Sequence, residues 1–117
     1  MNLFYLDEDL DKSAQYHVDK HIVKMPLEAA QLLCTAVWVD EVLGFVPRAL
    51  NKEESKVLNE EKAKIKHLPL EERPLTPYLP MMYNHPCTIW TRSSLDNFEW
   101  VHCYANALND EYYYRYG

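Results

Sequence analysis

Glycine is almost missing from this chain: Gly44 and Gly117 are the only two in 117 residues. A β-sandwich or barrel needs frequent tight turns, so that scarcity argues against both. It also removes any glycine-rich phosphate loop, and no other cofactor motif is present, so no cofactor is expected. Cysteine is scarce as well. Cys34, Cys87 and Cys103 are odd in number and widely spaced, which argues against a disulfide framework or a cysteine-rich zinc site. They read as small thiols kept reduced in a cytosol. No run of about 18 consecutive apolar residues occurs, so no membrane span is expected. The first nine residues lack the basic start and cleavage site of a signal peptide and read as a cytoplasmic start. Basic residues are outnumbered 12 to 18 by acidic ones, a net charge of −6. That balance disfavours tight, non-specific binding to a phosphate backbone, while a single nucleotide in a local basic pocket stays compatible with it.

What is there fits a mainly α, compact helical bundle with a short N-terminal extended or strand segment. The length suits one domain, 1–117, and 48 % hydrophobic residues suffice for its core. Residues 3–6, Leu-Phe-Tyr-Leu, form the extended arm or strand. Asp7, Glu8, Asp9 and Asp11 crowd the entrance of a helical pattern that runs from about Lys12 to Val42. Pro26 interrupts it, either as a kink or as the first position of a second helix. Residues 51–67 are dominated by Lys and Glu and read as a solvated helix or a mobile excursion. Five prolines between Pro69 and Pro86 favour an extended connection over long helices. Ser93 or Ser94 caps a final helix, with Asp96 placed three after Ser93 as in a capping box. The segment 51–80 is therefore expected to be the most mobile or least densely packed.

On a helical wheel, Ile22, Ala29, Leu32 and Leu33 share an apolar face, and Phe98, Val101, Ala105 and Leu108 share another, continued by Tyr112 and Tyr116. These eight central positions are the expected core. Each face borders a polar stripe. The first holds His17, Lys20, His21, Lys24, Glu28, Gln31 and Thr35. The second holds Asn97, Trp100, Tyr104, Glu111 and Arg115. Two helices packed by their apolar faces would bring both stripes to one seam. Between them, His85 before Pro86 is held extended, and Arg92 arrives at a helix N-terminus as a plausible anion site.

The segments Asn2-Leu3-Phe4-Tyr5-Leu6-Asp7-Glu8-Asp9 and Asp19-Lys20-His21-Ile22-Val23-Lys24-Met25, with Glu28 and Gln31, resemble a family of small proteins common in tailed-phage genomes. His85-Pro86, Trp90, Arg92-Ser93, Asn97, Trp100, Glu111-Tyr112 and Arg115-Tyr116-Gly117 carry the same resemblance. It covers roughly the first 38 and last 34 residues, and it implies that the middle, 51–80, is a variable insertion. Val18 and Pro26 depart from the pattern, which has Cys and an ordinary helix former there. Some members carry a DNA-repair glycosylase label. The N-terminal amine such enzymes use would here require removing Met1 before the bulky Asn2, which is unfavourable.

The residue types point to an anionic ligand. Lys20, Lys24, Arg92 and Arg115 could hold a phosphate, with His21, Glu28 and His85 as acid–base groups. Trp90 and Trp100 could stack on a nucleobase, with Gln31, Asn97 and Glu111 as further binding groups. A metal held by His17, His21 and Glu28 is the weaker alternative, because Lys20 and Lys24 oppose a cation. The leading expectation is an accessory enzyme acting on a nucleotide or a nucleic-acid end. A binding protein that sequesters a host nucleotide signal or inhibits a host protein is the second, and a purely structural interaction domain is the third.

Overall fold

The computed structural model describes residues 3–117; Asn2, within the N-terminal motif above, lies outside them. Five α-helices follow one another: α1 (Leu10–Gln15), α2 (Asp19–Leu43), α3 (Lys52–Ile65), α4 (Pro86–Arg92) and α5 (Leu95–Tyr116). Among the described residues there is no strand. Residues 3–6 form an extended arm, held where the Phe4 amide donates to the Tyr104 hydroxyl and the Leu6 amide to Ser13 Oγ.

The first helical pattern divides at residues 16–18, ahead of Pro26. Asp9 caps α1 by accepting the Asp11 and Lys12 amides. The chain then re-enters a helix at Asp19 with Val18 extended. Pro26 lies inside α2, neither at its first position nor at a break. Its missing donor costs stability, and the buried neighbours Ile22, Met25 and Ala29 on the same helix offset it. Gly44 ends α2 at φ +83°, a conformation open to glycine and strained for other residues.

By length and average composition alone α2 is long and apolar enough to cross a membrane, although it holds no uninterrupted apolar run; the core helix of a globular protein passes the same test. Isolated charges break the run without lowering the average enough. In the fold α2 is the central helix, packed against α3, α4 and α5. It runs antiparallel to α5: Asp19 at its start pairs with Arg115 at the end of α5, and residues 36–41 lie beside Leu95 and Phe98.

Of the eight expected core positions, Ile22, Ala29, Leu32, Val101 and Leu108 are buried; Leu33, Phe98 and Ala105 are half-buried. Tyr104, assigned to the polar stripe, is fully buried instead, and Tyr116, assigned to the core face, is half-exposed. The core has two clusters. One joins Ala14, Ile22, Met25 and Ala29 to Tyr104, Ala107 and Leu108. The other joins Trp38 and Val39 to Val46, Leu50 and Leu58. The charged middle thus takes the helical option. Asn51 and Glu54 close a reciprocal capping box on α3, and Leu58 anchors it.

The proline-rich connection is extended only in part. Pro86 takes the first position of α4, where its fixed φ fits and its missing donor does not matter. Ser93 then ends α4, and Ser94 caps α5 by accepting the Asn97 amide, so the expected Ser93–Asp96 box does not form. The connection is pinned to α2 through Thr35 against the Met81 backbone and Trp38 Nε1 donating to Thr76 Oγ1 at 2.8 Å.

Candidate functional site

The extended arm crosses the start of α2 and the middle of α5, and there it gathers aromatic rings around a buried polar pair. His17, between α1 and α2, is 3 % exposed. Its Nδ1 lies 2.6 Å from the Ser13 carbonyl, which can only accept, so Nδ1 carries the proton. Nε2 must then accept, and the Tyr104 hydroxyl donates to it at 2.9 Å while accepting from the Phe4 amide. Every member of this chain is satisfied with both side chains neutral. Burial depresses the His17 imidazole below its ordinary value; the Ser13 carbonyl opposes this, and electrostatic interaction with His21 and Arg115 reinforces it. Burial likewise raises the Tyr104 phenol, opposed by the Phe4 amide and reinforced by the nearby Glu28 carboxylate.

Rings build outward from this pair. Phe4 stacks on His21 at 4.6 Å, and Trp100 stacks on Tyr104 at 5.1 Å. Trp90 of α4 meets Trp100 nearly at right angles, 5.6 Å away, and Tyr5 of the arm lies 6.0 Å from Trp100 on another side. Asn97 fixes the α4–α5 corner by donating to the Trp90 carbonyl at 2.8 Å. The result is an open cleft of about 380 Å³ walled by Leu3, Tyr5, Pro86, Cys87, Trp90 and Trp100. Trp90 and Tyr5 remain 41 % and 60 % exposed, so their faces are available to a ligand.

The expected site residues are divided among four places. His17, His21, Glu28, Trp90, Trp100 and Asn97 belong to the cleft and the layer behind it. Gln31 is half-buried on α2, and Lys20 and Lys24 are exposed there. His85 caps α4, its Nδ1 accepting the Cys87 amide at 3.1 Å, beside the cleft wall. Glu111 and Arg115 lie at the far end of α5. Arg115 bonds Glu111, Asp19 and the Gln15 carbonyl, close enough to His17 for its charge to act there.

Arg92 goes elsewhere. It occupies the last turn of α4, not a helix N-terminus, and is 8 % exposed. Its Nε donates to the Val46 carbonyl at 2.8 Å, and its two terminal nitrogens donate to the Arg48 and Tyr83 carbonyls. A guanidinium so committed ties loops together and is not offered to an anion. Arg92 and Arg115 flank opposite ends of α5, about 30 Å apart at 1.5 Å per residue, so they do not share one small ligand.

The metal alternative also meets an obstacle, since both nitrogens of His17 are taken. Among the described residues, no group of three His, Cys, Asp or Glu side chains is arranged to hold a metal ion. Tyr104, Phe4 and Tyr5 were not among the expected site residues. Tyr104 was visible in the α5 stripe, but where an extended arm lies leaves no periodic signal. No family model matches the chain, and no curated protein or solved structure is significantly similar to it.

Proposed function

We propose that the cleft binds a nucleobase, and that the chain is a phage-type cytoplasmic accessory enzyme acting on a nucleotide or a nucleic-acid end. The observation that carries this reading is the juxtaposition of two layers. The exposed Trp90, set nearly perpendicular to the half-buried Trp100, offers a base a stacking surface with an edge contact beside it. Directly behind Trp100 lies the polar layer of Tyr104, His17, His21 and Glu28. His17 and Tyr104 saturate each other and serve as scaffold. Acid–base work falls to His21, Glu28 and His85, and of the four expected cations Lys20 and Lys24 are the exposed pair on α2, suited to a phosphate outside the cleft.

Titrating nucleotides and short oligonucleotides while following tryptophan emission tests the reading. Quenching is expected, and Trp90→Ala should weaken binding by about 1–3 kcal/mol per stacked base. Binding should also weaken as salt rises. Absence of binding to every nucleotide and oligonucleotide by the folded protein would overturn the reading and favour a structural interaction domain.

The saturated His17–Tyr104 pair gives specific support to a second reading, a protein that sequesters a nucleotide without turnover. Glu28→Gln separates the two. It should abolish turnover and spare binding in an enzyme, whereas a sequestering protein has no turnover to lose.

A further inference from the structure

On another flank, the C-terminal half of α2 turns Asp40 and Glu41 to solvent, and an apolar groove lies on each side of them. The first groove, about 330 Å³, is lined by Val37, Phe45, Leu95 and Phe98. The second, about 450 Å³, runs along Val57, Ile65 and Leu75 toward α3. Glu41 borders both, and Asp40 borders the first. Phe45 and Leu95 are 68 % and 70 % exposed, an unusual degree for large apolar side chains that flank the same groove.

The charge at this ridge is one-sided. Arg92 lines the first groove, but it is nearly buried and bonded to three backbone carbonyls. Lys64, beside the second, is paired with Glu61 at 2.8 Å. Neither cation has a carboxylate of the ridge as its partner, so among the described residues Asp40 and Glu41 face outward without an ion-pair partner, between two apolar surfaces.

We propose that this face docks a basic amphipathic segment of a partner protein. Its apolar side chains fill the two grooves, and its Lys or Arg side chains lie over Asp40 and Glu41. A second copy of this chain is a poor occupant, since a two-fold contact would set the acidic ridge against itself. Nucleic acid and anionic lipid meet the same repulsion. The surface is separate from the aromatic cleft, and the proposal stands independently of the function assigned there.

Selection of a displayed random-peptide library on the full chain is the test. The enriched sequences are expected to interleave Lys or Arg with Leu, Phe or Trp at helical spacing. Binding of those peptides should fall at least about tenfold in the Asp40→Lys/Glu41→Lys double variant, fall further in Leu95→Asp, and weaken with salt. All three positions are exposed, and circular dichroism melts on both variants verify that each is folded. Failure to enrich any peptide family, an acidic or uncharged consensus, or peptides that bind Leu95→Asp unchanged would each overturn the proposal. So would sedimentation showing dimers of the chain alone that these same variants dissociate.

Discussion

Arg92 and His17 are both nearly buried polar side chains, and they sit in the two halves of the molecule under opposite arrangements. Around Arg92, two segments without regular structure meet, one carrying Val46 and Arg48 and the other Tyr83, and these three carbonyls have no ladder partners. A cation with several donors in one plane satisfies them together. At His17 the hydrogen-bond partners themselves are neutral, each donor meets one acceptor, and a stack of rings leads from the pair to an open cleft. One arrangement consumes its polar groups in holding the fold. The other pairs two neutral groups with each other, one ring behind the wall of an accessible cavity. A buried polar residue therefore signals function by what adjoins it, and charge alone is a poor guide.

If that division is right, the largest effect belongs to Arg92. Arg92→Ala leaves three carbonyls without donors and should cost about 3–5 kcal/mol, read from the urea midpoint. Arg92→Lys should recover only part, because one ammonium cannot span three acceptors set in different directions. The folded fraction should keep its cleft, so nucleotide quenching per folded molecule should be unchanged. A variant of normal stability that loses binding would erase the distinction between the two halves. Leu32→Ala gives the apolar benchmark: a fully buried side chain on α2, removed at a cost of about 2–5 kcal/mol.

A smaller effect is expected in the other half. Tyr104→Phe retains the ring that stacks on Trp100 but strips the hydroxyl that joins His17 Nε2 to the Phe4 amide. The loss should be about 1–3 kcal/mol, since two buried partners go unsatisfied. Amide exchange at Phe4 should accelerate as the arm is released. Unchanged exchange there would mean that the arm is held by packing alone, and the hydroxyl would no longer mark this half as different.

The two long helices were legible because apolar spacing records them: Ile22, Ala29 and Leu32 on α2, Val101 and Leu108 on α5. The Lys/Glu-rich stretch offered α3 as one of two options, and the Asn51–Glu54 box that opens it went unread. Trp100, His21 and Glu28 could be placed on their stripes for the same reason, since helical spacing records which side chains share a face; Trp90 stood out only as an aromatic residue of the connector. What escaped were features set by tertiary context. Nothing near Arg92 announces that the Val46, Arg48 and Tyr83 carbonyls will converge on it, and a basic residue close to a capping serine reads as an anion site. Pro86 suggested a stiff connector when it was opening a helix. Tyr104 carries a polar tip, and only the positions of His17 and the arm reveal that the tip has buried partners.

The subtlest consequence of the comparison is a difference in pH response. The native His17 imidazole is depressed below its ordinary value by burial, with His21 and Arg115 adding to that and the Ser13 carbonyl opposing. In the unfolded chain it takes up a proton near its ordinary pKa of about 6.5. Below that pH the unfolded state holds more protons than the native one, so stability falls as the pH drops toward the native pKa; above it, this contribution is fully present. A second proton on the ring would place a donor on Nε2 and deprive the Tyr104 hydroxyl of its acceptor. Proton NMR should therefore show His17 titrating below the ordinary histidine value. Unfolding free energies followed from pH 7 downward should decline less steeply in His17→Gln than in the parent chain, beyond the constant offset from the lost hydrogen bond. Arg92→Lys, which leaves the histidine cluster intact, should keep the parent slope. Parallel curves for the parent and His17→Gln, or a His17 titration at or above the ordinary value, would show that the two buried polar centres do not differ in the way their surroundings imply.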